Sequence, residues 1–369
     1  MPAPEAAPAR PAAARQAGGV RGGGAKRARR VVARVGKWAV LAVVVEYLVV
    51  PQLAGTRKSW HLLVGVDHAW LLVAVLLEIG SLAVYAALSR ALLPGAGRPG
   101  YATVLGIDLS TMAASHVVPA GSAVGLGLGY RMLTRAGVSG PAAVFAKATQ
   151  AVGSAVVLNL ILWVALVASL PLHGFSPVYG PVAVAGLILL SAAAVLLALV
   201  LRGDDRIAAV LGRQLGRLPR VSEDRVEDAV HSIAGHLRTF AADRRLLTLT
   251  FLLAAANWLL DAGALWACVR AFGHTLGPDG LLVPYGIAAV LAALPLTPAG
   301  LGVVEASLIP ALVGFSTPRG IAILGVLAWR AITFLLPIPI GGVSYLLLQR
   351  ARRRAAPPTP VPNTHEETP

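Results

Sequence analysis

Long apolar runs alternate with short basic segments along most of the 369-residue chain. Six of these runs are long enough to cross a bilayer, because about 20 apolar residues in a helix span its hydrocarbon core. They are Trp38 to Leu53, Ala69 to Leu88, Ala142 to Leu170, Val178 to Leu201, Leu246 to Val269 and Ile321 to Leu348. The pattern therefore predicts an all-α polytopic membrane protein with six complete spans.

Two further apolar regions, 101–130 and 281–313, are interrupted by prolines and glycines. Basic residues flank the first region at both ends, which indicates that the chain enters and leaves the membrane on one face. The two regions contain 30 and 33 residues, whereas two complete crossings need about 40. We therefore expect two re-entrant hairpins that enter from opposite faces, and eight complete spans stay open as the alternative.

The basic residues predict that both termini are cytoplasmic. With the hairpins placed in this way, 26 of the 32 Lys and Arg residues lie on one side, which the positive-inside rule assigns to the cytoplasm. The expected organisation is a disordered basic tail at 1–36, a membrane domain at 37–348 and a disordered tail at 349–369. Arginine outnumbers lysine by 28 to 4, as in GC-rich bacterial genomes, so we expect a bacterial plasma membrane.

One long polar segment, 202–245, separates two predicted spans on the cytoplasmic side. A helix is predicted to begin with Ser222 as its N-cap, followed by acidic residues in the first turn. Its apolar positions recur every three or four residues, at Val226, Val230, Ile233, Leu237 and Phe240. Such a helix lies on the membrane surface, packs on the bundle or simply connects two spans, and the pattern leaves these open.

The two interrupted regions share the tripeptide Pro-Ala-Gly. The first reads "HVVPAGSAVGLGLGYR" (116–131) and the second "LPLTPAGLGVVEASL" (294–308), and the motif lies near the middle of each region. Corresponding Pro/Gly breaks in two halves of opposite orientation indicate an inverted repeat with a binding site near mid-membrane. Pro119 and Gly121 mark the first predicted site, and Thr297, Pro298, Gly300 and Gly302 mark the second.

The second break has the chemistry of a phosphate site. Pro298 fits the first turn of a new helix and Thr297 can cap it. The free amide groups of such a helix start, together with the positive end of its dipole, favour a bound phosphate. In the first hairpin, Gly121, Gly125 and Gly129 recur every four residues, a spacing that predicts close helix packing rather than ligand contact.

Charged residues inside apolar segments are expensive, and they are therefore candidates for function. They are Glu46, Glu78, Asp108, Lys147, Asp261, Glu305 and Arg330. We expect Glu305 and Arg330 to lie at similar depths and to pair, either locking the hairpin or positioning substrate. Asp108 is predicted to belong to a polar patch with Ser110, Thr111, Ser115 and His116. Lys147 is expected to extend toward the headgroups, and no partner is predicted for Glu46 or Glu78.

Composition narrows the class further. The chain is 56% hydrophobic and 13% charged, whereas a soluble domain is about one quarter charged. The net charge of +15 lies mainly at membrane-flanking segments, which favours anionic lipid over nucleic acid. Cys268 is the single cysteine, so an intrachain disulfide is excluded. Hydrolase, kinase and metal signatures are missing, so we expect neither a cofactor nor an enzyme.

These segments resemble the lysylphosphatidylglycerol synthase transmembrane-region family, also described as flippase-like. The resemblance rests on "PAGSAVGLGLGYRMLTRAGVSGPAAVFAKATQAVG", "LPLTPAGLGVVEASLIPALVGF" and the arginine of "AWRAITFLLPIPIGG". It implies a lipid-translocating module in which Glu305 and Arg330 are functional. The chain departs from the family pattern at Ala299 and at Gly121-Ser122, and we do not expect the C-terminal aminoacyl-transfer domain of its bifunctional members.

The sequence therefore predicts a membrane protein that moves a phospholipid or a polyprenyl-phosphate-linked lipid across the bilayer. The helix start at 297–302 would receive the phosphate, and Glu305 and Arg330 would gate or position it. One alternative is a proton-coupled small-solute transporter in which Asp108 and Asp261 titrate. Another is a non-transporting partner of a cell-envelope glycosyltransferase that docks through the 202–245 segment. No pattern in the chain indicates an oligomeric state.

Overall fold

The computed structural model describes residues 65–95, 97–117, 121–173, parts of 184–195, 235–236, 238–292, 300 and 302–355. These residues form helices and short connections, and no strand occurs among them. The helices are α1 (His68–Leu92), α2 (Tyr101–Val117), α3 (Gly121–Arg135), α4 (Gly140–His173), α5 (Arg244–Ala271), α6 (Pro278–Ala292), α7 (Val303–Gly314), α8 (Arg319–Arg330) and α9 (Pro337–Ala355). A π-helical segment, Ala331–Leu335, joins α8 to α9. The predicted all-α fold is confirmed.

Four helices are long and apolar enough to cross a membrane, and they match four of the six predicted spans. They are His68–Leu92, Gly140–Ser169, Arg244–Ala271 and the continuous run Arg319–Ala351. The predicted span at 38–53 lies outside the described residues, as does most of the one at 178–201. The last helix continues to Ala355, beyond the predicted end of the span at Leu348.

Two aspartates set the starts of the helices that form the centre of the molecule. The Asp67 carboxylate accepts a hydrogen bond from the Ala69 amide at 3.0 Å at the start of α1. Asp243 accepts from the amides of Arg245 and Leu246 at the start of α5, at 3.0 and 3.1 Å. These N-caps satisfy amides that a helix start leaves without intrahelical partners.

Helices α1 and α5 pack along their length and run antiparallel. The Asp67 amide at the start of α1 donates to the Ala271 carbonyl at the end of α5, at 3.0 Å. Toward the middle, the Cα positions of Gly80 and Gly263 leave room for leucines of the opposite helix. A buried core that includes Ala262, Leu265 and Cys268 of α5 extends from this interface to α6, α7 and α8.

Each interrupted region forms a pair of short antiparallel helices. Helices α2 and α3 contain 17 and 15 residues, and α6 and α7 contain 15 and 12. At about 1.5 Å per residue these helices are about 18 to 26 Å long, shorter than a hydrocarbon core of about 30 Å. The connections at 118–120 and 293–299 lie outside the described residues, so re-entry into the membrane stays a prediction.

The two halves of the described chain use their helices in the same order. In each half a long helix is followed by a short-helix pair and then by another long helical run. Helix α2 of the first pair packs on α9 of the second half, and α6 of the second pair packs on α4 of the first half. Each pair is thus held by the last helix of the other half.

The end of the predicted 222–240 helix packs on the bundle. Residues 235–236 and 238–242 are helical, and the Phe240 ring lies 6.1 Å from the ring of Phe145 in α4. Phe240 also contacts the core formed by α1, α2, α3 and α4. The earlier part of this helix, including its predicted cap, lies outside the described residues.

Candidate functional site at the hairpin tips

Glu305 and Arg330 form the ion pair that the sequence predicts. The Arg330 Nε donates to Glu305 Oε1 at 2.9 Å, and the two side chains are 15% and 7% exposed. The other carboxylate oxygen, Oε2, accepts a hydrogen bond from the Gly302 amide at 2.7 Å. The predicted contact is confirmed, whereas a role in substrate binding stays a prediction.

Helix α7 begins after two glycines with positive φ. Its N-cap is Gly302, with φ of 83°, and Gly300 also has a positive φ of 67°. Backbone in this region favours glycine and is not helical, so the helix proper begins at Val303. The N-cap of α7 is thus Gly302, and a cap at Thr297 stays a prediction, because Thr297 and Pro298 lie outside the described residues.

Arg330 lies where α8 changes into the π-helical segment. Its guanidinium carbon is 6.0 Å from the ring centroids of both Trp329 and Phe334. On the other face of the site, the His116 ring stacks on Phe334 with centroids 4.7 Å apart. Because His116 belongs to the last turn of α2 and Glu305 to the first turn of α7, the tips of both helix pairs meet at this segment. Short π segments recur at functional sites.

A carboxyl cluster adjoins this arginine. Asp261 of α5 accepts hydrogen bonds from the Tyr285 hydroxyl at 2.6 Å and from the Trp329 indole at 2.9 Å. The carboxyl group of Glu78, on α1, adjoins Asp261 and is 5% exposed. Sequence reasoning assigned no partner to either acid. Both lie ten residues from the same end of the antiparallel α1–α5 pair, and that equal depth was the available signal.

Asp108 and Lys147 form a second buried ion pair. The Lys147 ammonium donates to Asp108 Oδ1 at 2.6 Å, to Ser89 Oγ at 3.0 Å and to Gln150 Oε1 at 3.0 Å. The prediction that Lys147 extends to the headgroups is wrong. Helix α2 places a carboxylate that is 2% exposed beside the ammonium, and an uncompensated charge there would be costly.

The hydroxyl groups near Asp108 are used within the protein. Ser110 donates to the Gly106 carbonyl at 2.6 Å, Thr111 to the Asp108 carbonyl at 2.8 Å, and Ser115 to the Thr111 carbonyl at 2.9 Å. Such back-bonding satisfies a hydroxyl inside an apolar segment without a ligand. The residues of the predicted polar patch therefore lie together on α2, but three of their hydroxyl groups donate to backbone carbonyls of the same helix.

The glycines of α3 allow it to approach α2 closely. A Cβ added at Gly121 or Gly125 would meet atoms of Ser115, and one at Gly129 would lie 3.1 Å from the Thr111 methyl group. The predicted packing face is confirmed. Contact of Gly121 with a ligand stays a prediction, and Pro119 lies outside the described residues.

A buried polar stripe on α1 was missed. Glu78, Ser81 and Ser89 face the interior, and Ser81 donates to the Asn257 side chain of α5 at 3.2 Å. Ser89 donates to Gln150 at 2.8 Å beside the Asp108–Lys147 pair. The stripe therefore runs from the carboxyl cluster to the second ion pair. Spacings of three and eight residues on an apolar helix were its signal in the sequence.

The fold and these buried charges define a polytopic α-helical membrane protein with two opposed short-helix pairs that meet at an ion pair. The sequence model of the family described as lysylphosphatidylglycerol synthase TM region matches residues 36–341, and the chain belongs to this family. The resemblance seen in the sequence is thereby confirmed. The matched part is described as a transmembrane region.

A similar protein of known name is the inner membrane protein YbhN of Escherichia coli strain K12. It is 31% identical over 111 residues, which are 28% of this chain and 34% of that protein. The match thus spans about a third of that relative's length. Its name places the relative in a bacterial inner membrane, and this chain is likewise an integral membrane protein.

Proposed function

We propose that the protein moves a phosphate-bearing lipid across the bilayer and that the headgroup passes the site formed by Gly302, Glu305 and Arg330. The observation that carries the proposal is the Glu305 carboxylate, held between the Gly302 amide at 2.7 Å and the Arg330 guanidinium at 2.9 Å. A helix start and an arginine together form a receptor for an oxyanion. In this state the protein's own carboxylate occupies the receptor.

A lipid phosphate has the same donor requirements as this carboxylate. It would compete with Glu305 for the Arg330 guanidinium, which binds phosphate oxygens in the same planar geometry. Displaced Glu305 would then be a buried charge without a partner unless it moved, and removing one partner of a buried pair costs about 3–5 kcal/mol. Exchange of the two anions therefore couples headgroup entry to movement of the α6–α7 pair.

The arrangement of the helices supports a transporter of alternating access. Arg330 lies eleven residues from the start of α8, about 16 Å into a bilayer whose half-thickness is about 15 Å. Two short-helix pairs, each held by the last helix of the other half, suit an inverted repeat with its site at mid-membrane. We propose that both pairs are re-entrant hairpins and that both termini are cytoplasmic, as the basic residues indicate.

The substrate class follows from the oxyanion chemistry, and it includes anionic phospholipids and polyprenyl-phosphate-linked lipids. The family's description names lysylphosphatidylglycerol synthase, so phosphatidylglycerol is the first lipid to test. Arginines at the flanks of α8 and α9 and in the 202–245 segment would attract such anionic lipids to the membrane surface.

The test is a flipping assay in proteoliposomes that contain fluorescent phosphatidylglycerol. Dithionite added outside quenches only the outer leaflet, so quenching past half reports movement of lipid. We expect quenching past half with the wild type and slower quenching with Glu305→Gln. Asp243→Asn is the matched control, because Asp243 is exposed and asparagine also caps helices well.

Quenching that stops at half for every variant would contradict the proposal for this lipid. Equal rates for the wild type and Glu305→Gln would contradict the role assigned to Glu305. If the wild type leaves phosphatidylglycerol unmoved, the same assay with a fluorescent polyprenyl phosphate decides whether the substrate class or the transport function is wrong.

A further inference from the structure

Two carboxyl groups meet in the middle of the α1–α5 interface. Glu78 lies ten residues from the start of α1 and Asp261 ten residues from the end of α5, so each is about 15 Å from that end of the bundle. Their carboxyl groups adjoin one another, and Glu78 is only 5% exposed. Neither acid belongs to the ion pair assigned to the lipid.

The hydrogen bonds around Glu78 and Asp261 indicate which of the two acids holds a proton. Asp261 accepts through both oxygens, Oδ1 from the Trp329 indole at 2.9 Å and Oδ2 from the Tyr285 hydroxyl at 2.6 Å. Glu78 Oε2 receives no hydrogen bond from any group in the part of the chain that the structure describes. Because two adjoining carboxylates in a buried site repel one another strongly, one of the two acids holds a proton. Both oxygens of Asp261 already accept hydrogen bonds, which stabilise its charged form, so we assign the proton to Glu78.

We propose that Glu78 and Asp261 form a proton-binding site that responds to the position of the α6–α7 pair. Tyr285 belongs to α6, the helix paired with α7 of Glu305, and Trp329 belongs to α8, which also carries Arg330. When α6 moves, Asp261 loses a donor, its charged form is less stabilised, and the pair binds a proton more tightly. By linkage, protonation of the pair then favours that moved position.

The charged and titratable groups around the pair support a coupling role. Within α5, Cys268 lies in electrostatic range of both acids, and Tyr285 of α6 donates to Asp261. From α8, Arg330 acts on Asp261, and it also pairs with Glu305 of α7. From α2, His116 lies near Arg330, while Asp108 of α2 pairs with Lys147 of α4. Two carboxyl groups, those of Glu305 and Asp261, thus share one arginine, and a proton on Glu78 reduces the negative charge beside Asp261.

This site exists whether or not lipid is the cargo, and only its use as a coupling device rests on the proposed function. Protonation that shifts α6 would alter how Glu305 and Arg330 are presented, and a proton gradient would then bias the direction of lipid movement. The ligand of the new site is a single proton, and its release and uptake involve no other reactant.

The test of the site is infrared difference spectroscopy of the full chain in phosphatidylglycerol-containing nanodiscs over a pH titration. We expect the carboxylic-acid C=O band of a buried, protonated group, its loss in Glu78→Gln and its retention in Glu305→Gln. A band that survives in Glu78→Gln, or no such band at any pH, would overturn the proposal. Size-exclusion chromatography verifies that each variant is folded.

A second variant, Tyr285→Phe, tests the same site without depending on whether Glu78→Gln folds. The variant removes one donor from Asp261 and leaves the packing of the ring in place. We expect the midpoint of the band's titration to move to higher pH by about one unit, because a hydrogen bond to a charged group is lost. An unchanged midpoint would contradict the assignment of the proton to this pair.

Coupling is tested in the flipping assay with a pH difference imposed across the vesicles. We expect the pH difference to change the wild-type rate several-fold and to leave the Glu78→Gln rate unaffected. If the wild type moves no lipid while the Glu78-dependent band is present, the proposed function fails and the proton site stands. If lipid moves with no such band, or at a rate equally sensitive to pH in both proteins, the proton site fails.

Discussion

Each of the two short-helix pairs is joined to the bundle by one ion pair, but the two ion pairs lie in different surroundings. In each, one carboxylate of the pair binds one cation of the helix that follows, Asp108 to Lys147 and Glu305 to Arg330. The first ion pair lies about 10 Å along α2, and Ser89 and Gln150 complete the donors and acceptors around it. The second ion pair lies at the tip of the α6–α7 pair, where Glu305 also accepts a hydrogen bond from the Gly302 amide at the start of α7.

The glycines of the two short-helix pairs also have different roles. In the α2–α3 pair they let two helices touch, and in the α6–α7 pair Gly300 and Gly302 supply positive φ angles that open the start of α7. One pair is therefore built as a tightly packed anchor. The other places the Gly302 amide and the Arg330 guanidinium as donors on one carboxylate, the arrangement that the proposed anion site requires.

The largest expected effect comes from leaving a buried charge without its partner. Arg330→Met and Lys147→Met should each destabilise the protein by about 3–5 kcal/mol, since Glu305 or Asp108 is then buried alone. Thermal unfolding in detergent, followed by tryptophan fluorescence, measures this. Arg131→Met, at an exposed site on α3, is the control. A loss in Lys147→Met no greater than in the control would show that the first ion pair does not hold its helices.

A smaller effect is expected from filling the contact between α2 and α3. A Cβ at Gly125 would meet Ser115 and lie 3.0 Å from the Thr111 carbonyl, so Gly125→Ala should cost about 1–3 kcal/mol. Gly127 is its matched control, because no atom lies within 4 Å of a Cβ there. Gly127→Ala should stabilise by up to about 1 kcal/mol through helix propensity. Equal unfolding temperatures for the two variants would contradict the packing assigned to this pair.

The smallest expected effect tests the backbone at the start of α7. Gly302 has a φ of 83°, so Gly302→Ala should cost about 1–2 kcal/mol. Gly342→Ala, within α9 and with open space around the new Cβ, should be neutral or stabilising. The same unfolding measurement compares them. No loss in Gly302→Ala would mean that the positive φ is not required for the helix start.

Sequence reasoning located features that depend on local pattern or on depth. Continuous apolar runs predict helices because every backbone N–H and C=O group in lipid needs a hydrogen bond within the segment. Four described spans agree with this prediction. The Glu305–Arg330 pair was predictable because both residues are close in sequence and their depths can be counted. Re-entry of the hairpins depends on where the membrane lies, and sequence indicates this only through flanking charges.

Features that depend on which helices are neighbours were missed or wrong. Lys147 lies near a helix start, where extension toward headgroups is the usual outcome, but α2 brings Asp108 within 2.6 Å. Glu78 and Asp261 are 183 positions apart, about half of the 369-residue chain, and the antiparallel α1–α5 contact brings them together. At the second break, two glycines with positive φ place the start of α7 at Val303, which the sequence pattern alone did not indicate.

The central claim is that one ion pair is an anchor and the other is part of the lipid site. Removing both charges of a buried pair avoids an unpaired charge, so each double variant should recover most of the stability lost in the single ones. The deciding measurement is therefore the flipping rate of phosphatidylglycerol in two double variants, Asp108→Asn with Lys147→Met and Glu305→Gln with Arg330→Met. We predict near wild-type movement in the first and loss of movement in the second. Equal rates in the two would contradict the account.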